Sequence, residues 1–167
     1  MSVALDTQIR DLEPLDWPEV ARIFADGIRS GNATFEQEPP SWQAWDAAHS
    51  HVRVVGELDG RVVGWAALTL KSSRQCYRGV AESSVYVEGA AQGRGVGRAL
   101  MDEVIARSEA AGLWTLEAGI FPENKASLRL HLACGFRLVG VRERLGEANG
   151  EFRDVLLLER RSEVVGQ

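Results

Sequence analysis

The chain has 167 residues, 45% of them hydrophobic, and its 24 acidic and 19 basic side chains give a net charge of -5. This length predicts one compact domain over residues 1–167, and the acidic balance argues against nucleic acid or an anionic membrane as a partner. The N-terminus lacks a secretion signal, and the two cysteines, Cys76 and Cys134, fit free thiols in a reducing compartment, so a cytoplasmic protein is expected.

The first half of the chain is predicted to form a strand, two helices and a hairpin. After a short apolar start, Asp16 to Ser30 has apolar residues at helical spacing and Asp16 as a candidate N-cap, and Ser41 to His49 predicts a second short helix. Asp59-Gly60 supplies the positive φ angles of a tight turn between two runs rich in β-branched residues. These runs predict hairpin strands over Val52–Leu58 and Arg61–Leu68.

The second half alternates predicted strands and helices. In chain order the predicted elements are a strand over Val80–Val87, a helix over Gly97–Ala111, a strand over Leu113–Ala118, a helix over Asn124–Cys134, and hairpin strands over Phe136–Leu145 and Phe152–Glu159. The second hairpin turns at Asn149-Gly150. This order predicts an α/β fold with a mixed sheet and helices on both faces.

A glycine-rich loop lies between the strand ending at Val87 and the helix that follows it. Its residues are Gln92, Gly93, Arg94, Gly95, Val96, Gly97 and Arg98. Alternating glycines let backbone N–H groups approach a ligand, and the following helix directs its positive dipole end at the loop, so a phosphate is the expected guest. The two arginines would add positive charge, while the alternative is an ordinary turn that caps the helix. Neither the Walker nor the dinucleotide-binding pattern fits these residues.

The order of strand, Gln-x-x-Gly-x-Gly loop, helix, strand, Asn-led helix and Gly-Phe resembles the GNAT superfamily of acyl-CoA N-acyltransferases. Within it, the chain is similar to the phosphinothricin and methionine sulfoximine N-acetyltransferase branch. The segments that carry this resemblance begin at Asn32 (NATFEQEPPS), Tyr77 (YR), Glu82 (ESSVYV), Leu113 (LWTLEAGIFPEN), Gly135 (GF), Val141 (VRERLG) and Arg153 (RDVLLLER). The resemblance implies the GNAT fold, with a mixed, mostly antiparallel central sheet.

The resemblance also implies acetyl-CoA as the co-substrate, with its pyrophosphate on the glycine loop. The strands on either side of the following helix are expected to splay apart, so that the edge at Val85, Tyr86 and Val87 pairs with the amide-rich pantetheine arm. Asn124 would bond the pantetheine, and Ser127 lies one turn further along. The alternative for Asn124 is a plain N-cap.

Acetyl transfer requires a neutral amine, so a base must take up a proton. Glu82 is the candidate, because it lies inside a predicted strand where a carboxylate is costly unless the site is wet or polar. The alternatives are a structural carboxylate paired with an arginine, or a solvated one. His131 occupies the position where many relatives have a tyrosine that protonates the leaving thiolate, although a buried histidine bonded to a backbone carbonyl is the alternative. A backbone N–H near Val87 would polarise the carbonyl. Direct attack in a ternary complex is expected, with no metal.

The acceptor is expected to be a small amino acid or an analogue of one. Arg74 and Arg78 flank Cys76-Tyr77 before the Glu82 strand, and arginine suits fork-like capture of a carboxylate. The resemblance implies the same class of substrate, with Tyr77 beside the arginines and Phe35 as a wall of the side-chain pocket. Alternatively, Arg74 is a solvated loop charge and Phe35 anchors its loop to the core.

Two other functions stay open at this point. One is a GNAT enzyme for another primary amine, such as a peptide N-terminus or a polyamine, although paired arginines would repel a polyamine. The other is an acetyl-CoA-binding module without turnover, in which Glu82 would have no role. Relatives of this kind are commonly homodimers, so a homodimer that uses the C-terminal strands is also expected.

Overall fold

The computed structural model describes residues 6–167. Its elements are β1 Gln8–Asp11, α1 Trp17–Ser30, α2 Trp42–Ala48, β2 Arg53–Leu58, β3 Arg61–Leu70, β4 Val80–Val87, α3 Val96–Ala110, β5 Thr115–Ile120, α4 Lys125–Ala133, β6 Arg137–Ala148 and β7 Glu151–Arg161. The predicted helices and strands are confirmed with small shifts at their ends. The beginning of the short apolar start, residues 1–5, lies outside the described residues.

The described strands form one sheet in the order β1-β2-β3-β4-β5-β7-β6. Neighbouring strands run antiparallel except for β4 and β5, which are parallel. The two predicted hairpin turns are confirmed, because Asp59 and Gly60 have φ angles of 51° and 74°, and Asn149 and Gly150 have φ angles of 54° and 80°. The sheet is therefore mixed and mostly antiparallel.

Helices cover both faces of the sheet, and each face has its own core. On one face, Leu100, Met101 and Val104 of α3 are fully buried against the strands. On the other, α1 and α2 pack over Trp65 of β3, and Trp45 of α2 meets that indole edge-on at 5.5 Å between ring centroids. The amphipathic spacing that predicted these helices thus reflects their burial.

The helix starts differ in one respect from the prediction. Ser41 caps α2, since its Oγ accepts a hydrogen bond from the Ala44 N–H at 3.2 Å. Asp16 precedes α1 but does not cap it with its side chain. A 3-10 turn over Pro14–Asp16 directs this carboxylate backwards, where it accepts from the Glu13 N–H at 2.8 Å and from Arg10. Among residues 6–167, no helix is long and apolar enough to cross a bilayer.

Candidate active site

A gap opens between the parallel strands β4 and β5. The two strands pair only from Val80 to Glu82 on β4 and from Thr115 to Glu117 on β5. Beyond this point β4 stays paired with β3, and β5 stays paired with β7 as far as Ile120. The splay that the resemblance implied is therefore present, and it begins beside Glu82.

The hydrogen bonds at both ends of β4 show which of its backbone groups face this gap. The Lys71 N–H donates to the Val80 carbonyl at 3.0 Å, and the Glu88 N–H donates to the Val63 carbonyl at 2.8 Å. Because hydrogen-bonded and non-bonded pairs alternate along an antiparallel ladder, the even-numbered residues of β4 bond to β3. The odd-numbered residues direct their N–H and carbonyl groups toward β5.

Val85 and Val87 therefore present backbone N–H groups to the gap, and within residues 6–167 neither group has a hydrogen-bond partner. The expectation that Tyr86 shares this edge pairing is wrong, because its backbone bonds to β3. Its ring stacks against both Phe24 and Trp65, at 5.0 and 4.7 Å between centroids, and burial raises the pKa of Tyr86 to about 12. Tyr86 is thus a core residue behind the gap.

The glycine loop lies where β4 ends, at the outer end of the gap. Gly93 and Gly95 have φ angles of 74° and 85°, which side-chain-bearing residues rarely adopt, and Gly95 is the N-cap of α3. The first turn of α3, which starts at Val96, leaves backbone N–H groups directed out of the end of the helix. The Gln92 side chain donates to the Val87 carbonyl at 3.2 Å and so ties the loop to β4. The loop geometry fits an anion.

Both loop arginines are exposed. The Arg98 Nε donates to Asp102 at 2.9 Å, which offsets part of its charge, whereas Arg94 lines a small cavity beside Asp59. A Cβ at Gly97 would lie 3.2 Å from the Leu130 side chain, so α3 and α4 approach each other closely beside the loop. The arginines remain candidates for phosphate contact, with Arg94 the less committed of the two.

Glu82 lies at the inner end of the gap, with 46% of its side chain exposed. Its Oε2 accepts a hydrogen bond from Lys71 Nζ at 2.7 Å, and the same ammonium lies 3.5 Å from Glu117 Oε2. Water therefore reaches this carboxylate, as its candidate role requires. The partner is a lysine and not the arginine considered for its structural role. Lys71 and Glu117 were missed, because only the strand register brings them to Glu82.

Asn124 is the N-cap of α4, and both ends of its amide are bonded within the protein. Its Oδ1 accepts from the Ser127 N–H at 3.1 Å, and its Nδ2 donates to the Asn32 carbonyl at 3.0 Å. The structure thus displays the capping role, together with a tether to the loop between α1 and α2. Contact of Asn124 and Ser127 with pantetheine stays a prediction.

His131 is buried, and its ring packs edge-on against Phe136. Its Nδ1 lies 2.8 Å from the Ser127 carbonyl, so Nδ1 carries a proton and donates it there. Burial lowers the pKa of His131 from its ordinary value. A neutral imidazole with a committed Nδ1–H is poorly suited to protonate a thiolate, which favours the structural alternative.

The predicted carboxylate-binding arginines lie on the exposed loop between β3 and β4. The Arg74 guanidinium stacks over the Tyr77 ring at 5.2 Å, and the Arg78 guanidinium lies 5.2 Å from the Trp114 ring while donating to the Gln75 carbonyl. Both side chains lie against aromatic rings, and both residues are exposed. Their contact with a substrate stays a prediction.

Phe35 meets Phe121 edge-on at 4.8 Å, and its ring fills the space where Gly146 has no side chain. This contact supports the anchoring alternative for Phe35 without excluding a pocket wall. Arg153, for which the sequence predicted no role at the site, stacks 3.8 Å from the other aromatic ring of the pair, Phe121. Its Nη2 also donates to Asn32 Oδ1 at 2.8 Å.

Comparison with known proteins supports this arrangement. The model of the Acetyltransferase (GNAT) family matches residues 9–136. The chain belongs to the GNAT family. This GNAT acetyltransferase is 36% identical over 159 residues to the phosphinothricin N-acetyltransferase of Alcaligenes faecalis, covering 91% of this chain and 81% of that relative. It is 29% identical over 162 residues to the L-methionine sulfoximine/L-methionine sulfone acetyltransferase of Pseudomonas paraeruginosa, covering 93% and 94% of the two chains.

The fold agrees with solved GNAT structures. This acetyltransferase matches the crystal structure of a GNAT superfamily phosphinothricin acetyltransferase from Sinorhizobium meliloti in complex with acetyl-CoA, with a TM-score of 0.85 and 29% identity over 93% of this chain and 88% of that one. The unpaired N–H groups of Val85 and Val87 and the positive-φ loop at Gly93 and Gly95 fit the amides and the pyrophosphate of that co-substrate. The protein is an acetyl-CoA-dependent N-acetyltransferase.

Proposed function

We propose that this enzyme acetylates the α-amine of a small amino acid or of an analogue such as phosphinothricin, methionine sulfoximine or methionine sulfone. The observation that carries the proposal is the placement of a solvent-exposed carboxylate, Glu82, at the inner end of a gap whose outer end is a glycine loop with positive φ angles at Gly93 and Gly95. The relatives named for these substrates support the acceptor class.

The donor side of the site is built from backbone groups. When bound, acetyl-CoA supplies an acetyl group activated as a thioester. The loop from Gln92 to Arg98 would hold the pyrophosphate through N–H groups and the α3 dipole. Val85 would pair with the pantetheine arm, and the Val87 N–H, fixed by the β4–β3 ladder, would donate to the carbonyl oxygen as negative charge develops there.

The acceptor side prepares and orients the amine. An α-ammonium group has a pKa near 8, so it must lose a proton before it attacks. Glu82 would accept this proton, directly or through one water, and the amine then attacks in a ternary complex. The carboxylate of the acceptor would be held by Arg74 and Arg78, beside Tyr77, and Phe35 would close the pocket from the loop between α1 and α2.

The groups on α4 act around the same gap. Asn124 and Ser127 line the start of the helix and would contact the pantetheine arm from the β5 side. His131 is left out as a proton donor, because its Nδ1–H is committed to the Ser127 carbonyl. We propose that the departing thiolate is protonated by solvent or receives the proton that the amine has released.

We also propose a cytoplasmic homodimer. Apolar side chains on β6 and β7 are 44% to 64% exposed, namely Leu138, Val139, Val141, Leu145 and Phe152. An apolar surface of this kind is typical of an interface, and a two-fold axis would pair it with itself. The free thiols of Cys76 and Cys134 support a reducing compartment.

Thiol release measured with a chromogenic disulfide tests the substrate class. Saturating acetyl-CoA is combined in turn with methionine sulfone, methionine sulfoximine, phosphinothricin, spermidine and a short peptide with a free N-terminus. We expect release with the amino-acid analogues and none above background with spermidine. Release with spermidine or the peptide alone would replace the proposed acceptor class, and calorimetric binding of acetyl-CoA without release on any amine would favour the non-catalytic alternative.

A further inference from the structure

Charged side chains stand in register across neighbouring strands of the sheet. Glu82 on β4 is the register partner of Glu117 on β5, Glu117 is the partner of Glu159 on β7, and Glu159 is the partner of Arg137 on β6. Register partners point to the same face of a sheet. Three carboxylates therefore lie side by side on the face that carries the candidate base.

Like charges on directly opposed strand positions destabilise a sheet. Two cations at the ends of the row compensate for this arrangement. Lys71 lies 2.7 Å from Glu82 and 3.5 Å from Glu117, and Arg137 pairs with Glu159. The row thus places two opposing influences on Glu82, an ammonium from the residue that follows β3 and a carboxylate from β5.

Among the described residues, Lys71 is the cation in ion-pair contact with Glu82, and Glu117 is the adjoining carboxylate. Glu159 lies one strand further away, behind Glu117. On the β3 side the register partner of Glu82 is the uncharged Thr69. The Glu82 carboxylate therefore has one close positive neighbour, Lys71, and one close negative neighbour, Glu117.

We propose that Lys71 and Glu117 are positioning residues that set the ionisation of Glu82 in opposite directions, Lys71 favouring the carboxylate and Glu117 favouring its protonated form. The role of Glu82 as the base rests on the proposed function. Lys71 also orients the carboxylate, since the Nζ–Oε2 bond selects one direction for the side chain. The hydrogen bond to Glu82 raises the pKa of Lys71, which favours the ammonium form of the lysine.

The pH dependence of kcat/KM tests this inference, with the best acceptor from the thiol-release panel. Lys71→Met removes the nearby positive charge, which favours the protonated form of Glu82. The acid limb of the profile should therefore move to higher pH. Glu117→Gln removes the nearby negative charge and should move the acid limb to lower pH. Each shift is expected to be about 0.5 pH unit, because the pair is only half-buried.

Matched variants separate this role from a general loss of structure. Lys71→Arg keeps the charge and should restore the parental limb, and Lys71→Gln provides a second neutral variant. Glu159→Gln, one strand further away, should move the limb less than Glu117→Gln. The exposed Glu163→Gln should leave it unchanged. Raising the salt concentration to 1 M should shrink both shifts, because exposed charges are screened.

Opposite shifts from Lys71→Met and Glu117→Gln, reversed by Lys71→Arg, would support the inference. Equal shifts, shifts of one sign, or none in an enzyme whose acid limb disappears in Glu82→Gln would overturn it and leave the proposed function intact. If the parent protein releases no thiol with any amine, or Glu82→Gln keeps the parental profile, the proposed catalytic role of Glu82 fails instead.

Discussion

The side-chain amide of Asn124 donates a 3.0 Å hydrogen bond to the backbone carbonyl of Asn32. This bond joins the cap of α4, which borders the co-substrate gap, to the loop between α1 and α2, which carries Phe35. Arg153 of β7 bonds the Asn32 side chain at 2.8 Å and Glu123 at 3.1 Å. Three segments distant in sequence therefore meet at Asn32.

Replacing Arg153 should loosen the loop between α1 and α2, which carries Phe35, more than it disturbs the proposed acetyl-CoA site. Only 19% of the Arg153 side chain is exposed. Arg153→Met therefore removes charge-assisted hydrogen bonds worth roughly 1.5–3 kcal/mol. We expect the acceptor KM to rise about tenfold, with the acetyl-CoA dissociation constant nearly unchanged, as measured by steady-state kinetics and calorimetry. The exposed Arg142→Met serves as the control. Equal losses in both constants would contradict a role specific to the loop.

Substitutions at two glycines, one at each end of α3, can distinguish a loss of phosphate binding from the effect of backbone strain. Gly95 and Gly112 have φ angles of 85° and 79°, and a Cβ would meet nothing within 4 Å at either position. Gly95→Ala and Gly112→Ala should each cost about 1 kcal/mol of stability, lowering Tm by about 2–4 °C. Only Gly95→Ala should weaken acetyl-CoA binding. Parallel losses of affinity in the two variants would remove the phosphate assignment.

Glu82→Gln should keep the fold and the affinity for acetyl-CoA, since the side chain is half exposed and lies beyond the phosphate loop. General-base catalysis contributes about 10²–10⁴-fold, so we expect kcat to fall by at least about 10²-fold. Activity should recover partly at high pH, where the acceptor amine is already neutral. The measurement is kcat against pH, and a profile identical to that of the parent would exclude the base role.

His131 should make the protein less stable in mild acid. Burial lowers its pKa, so below the ordinary value of 6.5 the unfolded chain binds a proton that the folded chain rejects. The free energy of unfolding therefore falls as pH drops from about 6.5 toward the lower folded value, by up to about 1.4 kcal/mol per pH unit. Burial lowers the pKa of His49 as well, so it adds to this slope.

His131→Gln should flatten part of that slope in urea titrations between pH 5 and 7, whereas the exposed His51→Gln should not. The same variant tests the catalytic alternative. If turnover at pH 8 collapses while the fold is intact, His131 takes part in proton transfer after all.

A charge on the exposed apolar surface of β6 should dissociate the proposed dimer. Val141 is 52% exposed there, and burying an unpaired aspartate in an interface is strongly unfavourable. Val141→Asp should weaken dimerisation by more than about tenfold, seen as a lower mass in light scattering coupled to gel filtration. Leu15→Asp, at a position 90% exposed, is the control. A parent protein that is monomeric at every concentration would refute the dimer directly.

The local features of the fold could be predicted because short-range chemistry determines them. Asp59-Gly60 and Asn149-Gly150 form the expected turns, since these dipeptides favour the positive φ angles that a two-residue hairpin turn requires. The alternation in β4 likewise placed Glu82 and Tyr86 on the same face. The exceptions are also instructive: Asp16 had the residue type of an N-cap, but a preceding 3-10 turn gave its carboxylate closer partners.

The sequence by itself determined the elements, the position of the glycine loop before α3 and, through the resemblance, the gap between β4 and β5. Tertiary structure alone decided which side chains meet: the register that puts Glu117 beside Glu82, the lysine that reaches both, and the meeting of Arg153 and Asn124 at Asn32. These contacts join residues separated by a loop, by a helix or by more than half the chain. The register between strands that no tight turn connects, and the packing of loops, depend on burial and hydrogen bonding over the whole sheet, which a short sequence segment does not specify.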